Sequence, residues 1–341
     1  MERTNGHIET TVISTRLRLA RNLQAYPFPS RLGAAQAEEI IFLVREAMKT
    51  MDGDFEEYPM ASIDPCQAQL LQEQHLISPA LAAKRTGAAF VSPDRCVSVM
   101  VNEEDHLREQ YIVSGFDFYR AYERVVGLDE GLGARLHFAY DKKLGFLTAC
   151  PSNVGTGMRA SAMLFLPALE RSDALREIVP RLKAGGLTVR GMFGEGTASE
   201  GYVYQVSNER TLGLSEQELL ADMVRIIKNL CELERTERKK LLKKEAFSLK
   251  DECLRAFGIL TNCGYLDYKE MMDLLVKVRL GIALGFFHAS GFEAVNSFID
   301  DLRPASFAAE HGLQRASERE IGMKRAEVLH RVLPKIVIRL D

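Results

Sequence analysis

Four short polar segments hold the residue types that could carry chemistry, and each contains at least one arginine. They are STRLRLAR (14–21), NEEDHLR (102–108), CPSNVGTGMR (150–159) and RGMFGEG (190–196). A guanidinium is a planar fork of N–H donors that matches the geometry of phosphate oxygens. A single arginine is more often a surface charge. The recurrence of the pattern in four places therefore favours an anionic ligand.

The spacing of the arginines suggests what that ligand is. Arg16 and Arg18 point the same way if their segment is extended, because side-chain direction repeats every two residues in a strand. With Arg108, Arg159 and Arg190 they would form a cage of five guanidiniums, which suits a triphosphate. No G-x-x-x-x-G-K-[ST] motif occurs, and GMFGEG alone is a weak phosphate-loop signal. The sequence predicts a nucleotide site that is not a P-loop.

Two adjacent carboxylates follow the predicted strand VSVMV. Glu103 and Glu104 would point to opposite sides of an extended chain, which indicates separate roles. One could face a metal-bound nucleotide and the other the acceptor. The alternative is a pair of exposed strand-end carboxylates. The run EEDH lacks the two histidines at helical spacing that would indicate zinc.

Cys150 is the one thiol whose surroundings suggest a role. The six cysteines form no C-x-x-C pair, which is typical of reduced thiols. A buried, inert cysteine is the commoner case. Cys150, however, precedes Pro151 and a polar turn with Asn153 and Arg159 close by, and cationic surroundings stabilise a thiolate.

Composition limits the class of protein. The 341 residues include 44 basic and 47 acidic ones, so the net charge of -3 gives no general attraction to nucleic acid or anionic membrane. The N-terminus lacks the apolar core of a signal peptide, and no run of about 18 uncharged apolar residues occurs. We expect a cytoplasmic globular protein.

Hydrophobic periodicity predicts the elements that must position these residues. Helices are expected over 33–50, from 62 to about 78, over 115–126 and from 215 onward, and 157–186 is predicted as helical stretches broken at Pro167 and Pro180. Strands are expected at 88–93, 96–106, 187–193 and 201–210, with a hairpin over 134–151 that turns at 141–143.

This pattern favours an α+β fold with a mostly antiparallel sheet flanked by helices, because the strands cluster instead of alternating regularly with helices. The sheet domain is predicted over 1–235 and an all-helical C-terminal domain over 236–341. The charge run 234–247 is interpreted as a solvated helix joining the two domains, with a basic docking face as the alternative.

The four segments, in this order and spacing, resemble the catalytic domain of the phosphagen (guanidino) kinase superfamily over residues 12–235. Within it, the chain resembles the bacterial protein-arginine kinases, which phosphorylate arginine side chains in proteins. Only 13 residues precede STRLR, whereas the metabolite kinases carry a helical N-terminal domain there. The helical stretch after residue 245, including VRLGIALGFF, also resembles the C-terminal domain of the protein-arginine kinases.

The resemblance implies roles for individual residues, with ATP/ADP and Mg²⁺ as cofactors. It assigns the five arginines to the nucleotide phosphates, and Glu103 to magnesium through water. Nucleotide-site positions implied in addition are Ser14, Thr15, His75, Ala160, Ser161, Gly191 and Gly194. Phosphoryl transfer relies on positioning and charge stabilisation, which arginines supply.

On the acceptor side, the resemblance implies two carboxylates, because a protonated guanidinium is a poor nucleophile and must lose a proton. Glu104 is the expected base and Glu195 the second carboxylate. Cys150 would orient the guanidinium as a thiolate without forming a covalent intermediate, so Cys150→Ser should slow transfer without abolishing it. Asn153 would organise the backbone or the nucleotide side.

The C-terminal segment departs from the family pattern R-D-x-x-R-A, which reads phosphoarginine. Here the nearest stretch is REIGMKRA (319–326), so Arg319 and Arg325 are the candidates, and a plain basic amphipathic helix is the alternative.

The resemblance also implies partners. These are protein substrates with exposed arginines, stress-related proteins among them, an activator protein, a Clp-type protease and possible homodimerisation. Two other functions stay open, a kinase for a free guanidino metabolite and a non-catalytic phosphoarginine-binding adaptor.

Overall fold

An eight-stranded sheet dominates the computed structural model, which describes residues 6–191 and 200–339. The strands are β1 (Val12–Arg21), β2 (Glu56–Pro59), β3 (Ala88–Val91), β4 (Val97–Val101), β5 (Leu107–Ser114), β6 (Tyr140–Asp141), β7 (Gly145–Phe146), β8 (Met158–Phe165), β9 (Leu187–Gly191), β10 (Val203–Asn208), β11 (Phe287–Ala289) and β12 (Val337–Arg339). The large sheet has the order β2-β3-β4-β5-β1-β8-β10-β9. Its neighbours all pair antiparallel, which confirms the predicted sheet type.

Helices pack on both faces of this sheet and form most of the C-terminal region. They are α1 (Gly6–Glu9), α2 (Ala34–Met48), α3 (Pro65–Glu73), α4 (Pro79–Ala82), α5 (Phe118–Gly133), α6 (Pro167–Arg171), α7 (Leu175–Ala184), α8 (Glu216–Leu260), α9 (Tyr268–Ala283), α10 (Phe292–Asp301), α11 (Pro304–His311) and α12 (Glu318–Ile336). No helix in the described ranges is long and apolar enough to cross a membrane.

In the central strand β1, apolar and charged residues alternate, so that they face opposite sides of the sheet. Leu17 and Leu19 are fully buried in a cluster that includes residues of α5 and α8. Arg16 and Arg18 alternate with them and face the other way, as a period of two requires. At β1, the side covered by α5 and α8, called the helical side below, is therefore apolar, and the opposite side carries Arg16 and Arg18.

The long helix α8 joins the sheet to the C-terminal helices. Ser215 and Glu218 form a capping box at its start, and its dihedral angles depart from helical values at Glu245 (φ -136°). A second hydrophobic cluster combines Phe165 and Val203 of the sheet with C-terminal helices. The helix runs through residue 235, so the division into 1–235 and 236–341 stays a prediction.

Four predicted elements are wrong, one of them the break at Pro180, because α7 continues through that residue. Met158–Phe165, predicted as helical, is a strand between β1 and β10. The helix expected up to Ser78 ends at Glu73, because Ser78 instead caps α4, where Pro79 takes the first position. The C-terminal region is not all helical either, since β11 and β12 pair there.

Candidate functional site

The strand register gathers the five predicted arginines on one face of the sheet. Directly opposed residues on paired strands share a face. Arg18 lies opposite Arg159 of β8, Ala20 opposite Arg108 of β5, and Arg16 opposite Ser161. On the far strands, Ser161 lies opposite Ser207 and Gln205 opposite Arg190. The side chains that face this side are Arg16, Arg18, Arg108, Arg159 and Arg190, which together are called the arginine face below.

The positive charges on this face act strongly on one another. Burial first, and then the charges of Arg16, Arg108 and Arg159, holds the pKa of Arg18 well below its usual value. Burial and Arg108 lower the pKa of Arg16 to about 9. Within the described part of the chain, the buried Nε atoms of Arg16 and Arg18 have no hydrogen-bond partner. Such a concentration of like charge suits a ligand with several negative charges.

Glu103 is the carboxylate that balances part of this charge. Nη1 of Arg108 donates to both of its carboxylate oxygens, at 2.9 and 2.6 Å, and the Ser78 hydroxyl donates to it as well. Its main-chain oxygen accepts from Nζ of Lys84 at 2.9 Å. Glu103 therefore orients Arg108.

The described residues contain no cluster of three or more His, Cys, Asp or Glu that could hold a metal ion. The part predicted for Glu103 in holding the metal through water stays a prediction.

Glu104 is exposed, whereas Glu103 is buried, although both line the same cleft in a segment that bends and is not extended. The side chain of Glu104 is exposed in a cleft of about 90 Å³ that Arg18, Arg108, Arg159 and Asn153 also line. The structure thus brings the predicted base, three predicted phosphate ligands and Asn153, the predicted organiser of the backbone or the nucleotide side, to one small cleft.

Cys150 lies beside this cleft at the start of a short 3₁₀ turn, Pro151–Asn153. Its thiol is 3.0 Å from the Ser152 hydroxyl. The Thr211 hydroxyl holds this turn in place, because it donates to the main-chain oxygens of Ser152 and Val154 at 2.9 and 2.7 Å.

Gly155 lets this loop pack closely. Its φ is +117°, and a Cβ there would lie 2.4 Å from the main-chain oxygen of Thr211, so no other residue fits without a shift.

Several predicted positions do not present a side chain to the arginine face. Thr15 points to the helical side, where its hydroxyl donates to the main-chain oxygen of Gly115 at 2.7 Å. Ala160 is packed in the same hydrophobic cluster as Leu17. Ser14 and Ser161 do share the face of Arg16. Gly191 ends β9, whereas Gly194 and Glu195 lie outside the described residues.

The two candidate phosphoarginine ligands are not brought together. Arg319 is exposed in the first turn of α12. Arg325 is 3% exposed, and its guanidinium lies over the rings of Tyr268 and Phe307, at 5.6 and 5.8 Å from the ring centroids. A joint role for the pair stays a prediction.

The sequence reasoning missed the residues that hold the acceptor side together. One carboxylate oxygen of Asp105 accepts from the Asn22 amide and from the main-chain N–H of Ala149, both at 2.6 Å. Asp105 thereby ties the turn that carries Glu104 to the loop that carries Cys150. The sequence signal that could have identified Asp105 is its position directly after Glu103 and Glu104.

His106 fixes the same turn, and its tautomer follows from its contacts. Nδ1 accepts from the main-chain N–H of Leu23 at 3.0 Å, so Nε2 carries the proton and donates to the main-chain oxygen of Pro27 at 2.9 Å. The ring is fully buried. Burial, with Lys84 adding to it, lowers the pKa of His106 to about 4.

Acid should therefore destabilise the fold through His106. Between its unfolded pKa of about 6.5 and the folded value, the unfolded chain binds a proton more readily, so stability falls as the pH drops. We expect a loss of up to roughly 3 kcal/mol from this group in urea unfolding between pH 7 and pH 4. His106→Asn should be less stable at pH 7 and show a shallower decline. An equally steep decline in that variant would contradict the assignment.

Gln110 connects Arg16 of the arginine face to His75. Nη2 of Arg16 donates to the Gln110 side-chain oxygen, and Nε2 of Gln110 donates to the main-chain oxygen of His75 at 2.6 Å. The imidazole of His75 is exposed at the surface, yet the protein around it removes much of its hydration. That desolvation, with the charges of Arg303 and Arg16, lowers the pKa of His75 to about 4.

Known proteins share this fold. Residues 36–237 match the ATP:guanido phosphotransferase C-terminal catalytic domain, and residues 246–337 match the protein-arginine kinase McsB C-terminal domain. The solved structure of a lombricine kinase superposes with a TM-score of 0.61 at 26% identity and covers 67% of each chain. A taurocyamine kinase from Schistosoma mansoni superposes with a TM-score of 0.62 at 25% identity, over 74% of this chain and 39% of that one.

The fold and the arginine face define an ATP-using guanidino phosphotransferase. The protein-arginine kinase of Caldanaerobacter subterraneus subsp. tengcongensis is 39% identical over 95% of this chain and 97% of its own length. That of Geobacillus stearothermophilus is 38% identical over 91% and 87%. The chain belongs to the protein-arginine kinase family.

Proposed function

We propose that this protein transfers the γ-phosphoryl group of MgATP to the guanidinium of arginine residues in other proteins, with the arginine face as the donor site and Glu104 as the base. The observation that supports this most is the cleft in which Glu104 and three of the five arginines meet. A donor's phosphates on the arginines would place its terminal phosphorus next to a guanidinium held by Glu104.

The arginines supply the charge stabilisation in this mechanism. Arg18, Arg108 and Arg159 would bind the phosphate oxygens as negative charge shifts toward the leaving ADP, and Glu103 keeps Arg108 oriented. Bound magnesium would add charge neutralisation between the phosphates.

Glu104 acts on the other reactant. It would hold the acceptor guanidinium and accept the proton that this group loses as the N–P bond forms and the P–O bond to ADP breaks. Cys150, next to Arg159, would orient the acceptor from the side, and Asn153 would fix the turn between them. Glu195 would be the second carboxylate on the guanidinium.

The wider setting of the reaction is also proposed. The names of the relatives support protein substrates. Exposed arginines on those substrates, an activator protein, a Clp-type protease, homodimerisation and a cytoplasmic location are proposed from the family resemblance alone.

The assay that tests the activity offers two acceptors side by side. We expect MgATP and an unfolded basic protein to yield phosphate on arginine, detected by mass spectrometry under non-acidic conditions, with far less transfer to free arginine. Phosphate only on Ser, Thr or Tyr would refute the proposal. Preferential transfer to free arginine would favour a metabolite kinase instead.

A further inference from the structure

One carboxylate connects the C-terminal region to helix α3. Glu73, the last residue of α3, accepts from the main-chain N–H groups of Ala305 and Ser306 at 2.9 Å and from the Ser306 hydroxyl at 3.2 Å. These donors form the first turn of α11, whose exposed N–H groups favour a negative charge. Helix α11 is therefore fixed relative to α3.

The same contact lies next to the arginine face. His75 follows Glu73 by two residues and has a positive φ of 59°, which turns the chain sharply there. Its main-chain oxygen accepts a hydrogen bond from the side-chain amide of Gln110, and the side-chain oxygen of Gln110 accepts one from Arg16. A continuous series of contacts thus leads from α11 through Glu73, His75 and Gln110 to Arg16.

Arg303 is the residue immediately before α11, and it lies near the imidazole of His75. The contact between Glu73 and the first turn of α11 brings Arg303 close to His75. After burial, the charge of Arg303 adds to the lowering of the pKa of His75. The side chain of Arg303 is 17% exposed, and Nε and Nη2 donate to Asp300 at 3.0 and 2.8 Å. Asp300 is 57% exposed and lies three residues away, so this ion pair is of the kind that stabilises a fold only weakly.

We propose that Arg303 is a nucleotide-binding residue that the C-terminal region supplies to the donor site. This inference rests on the donor site proposed above, to which it adds a sixth guanidinium on the side of His75. Arg303 would exchange Asp300 for a phosphate oxygen of the nucleoside di- or triphosphate, since charge-assisted bonds to phosphate are stronger than an exposed pair. Nucleotide binding would then depend on the position of α11.

The test measures MgADP affinity by calorimetry on the full chain. Arg303→Met should weaken binding about tenfold, the typical effect of losing one hydrogen bond to a charged group. Arg303→Lys should weaken it less, because the charge is kept. Glu73→Gln should also weaken it, because α11 loses the anion at its first turn. Arg315→Met, an exposed arginine of the same region, is the matched control and should bind like wild type.

Arg16→Met separates this inference from the donor site itself. If Arg16→Met loses MgADP affinity while Arg303→Met and Glu73→Gln bind as wild type does, Arg303 is not part of the site and the inference is overturned. If Arg16→Met also binds normally, the arginine face is not the donor site, and both proposals fail. Thermal unfolding of each variant verifies that it is folded.

Discussion

Glu104→Gln should lower kcat by about 100- to 10,000-fold, the range that general-base catalysis contributes. The amide has nearly the shape of the carboxylate, so the packing of the exposed side chain in the cleft is preserved. It cannot accept the proton that the acceptor guanidinium must lose, and it no longer attracts that cation. MgADP affinity should change little, because the nucleotide is held by the arginines. The measurement is phosphoarginine formation on an unfolded basic protein at saturating MgATP.

The matched control for this variant is Glu46→Gln, an exposed glutamate on α2 that pairs with Lys49. It should retain the wild-type rate. A Glu104→Gln enzyme that keeps more than about a tenth of the wild-type kcat would show that another group takes the proton. Glu195 would then be the first residue to test.

The arginine face could be predicted from the sequence because one local rule determines it. Alternation along a strand fixes the direction of Arg16 and Arg18 once the segment is known to be extended. The same rule places Thr15 on the other side, yet motif membership had included it among the nucleotide residues. Alternation decides which residues of a motif can present side chains, and motif membership does not.

Strand β8 shows where local reasoning fails. MRASAMLF is rich in residues that favour helices, and a helical interpretation was therefore natural. The segment is a strand because β1 and β10 pair with it on both sides, and this pairing overrides the local preference. The same error hid the register that brings Arg159 opposite Arg18.

The contacts between distant segments could not be predicted from the sequence. Glu73 and Ser306 are 233 positions apart, and neither belongs to a recognisable motif. Asp105 was visible in NEEDHLR, but its bond to Ala149 depends on a loop 44 residues away. Polar residues that position a site look the same in a sequence as polar residues that face water, and only their partners distinguish them.

Arg18→Met should stabilise the nucleotide-free protein and remove its activity. Burial first, and then the charges of Arg16, Arg108 and Arg159, hold the pKa of Arg18 well below its usual value. Its Nε has no hydrogen-bond partner within the described residues. Replacing a poorly compensated charge by an apolar side chain of similar length typically stabilises a fold by about 1–4 kcal/mol. Losing a phosphate-binding arginine typically costs about a thousandfold or more in phosphoryl transfer.

Urea unfolding with and without MgADP tests both halves of this prediction. Without nucleotide, the variant should unfold at a higher urea concentration than wild type. With MgADP, wild type should gain stability and the variant should gain little, because only a bound ligand shifts the midpoint. Arg225→Met, an exposed arginine of α8 paired with Asp222, should change stability by less than about 0.5 kcal/mol. An Arg18→Met protein that is less stable than wild type without nucleotide would mean that the like charges are already compensated, and the electrostatic account of the donor site would fail.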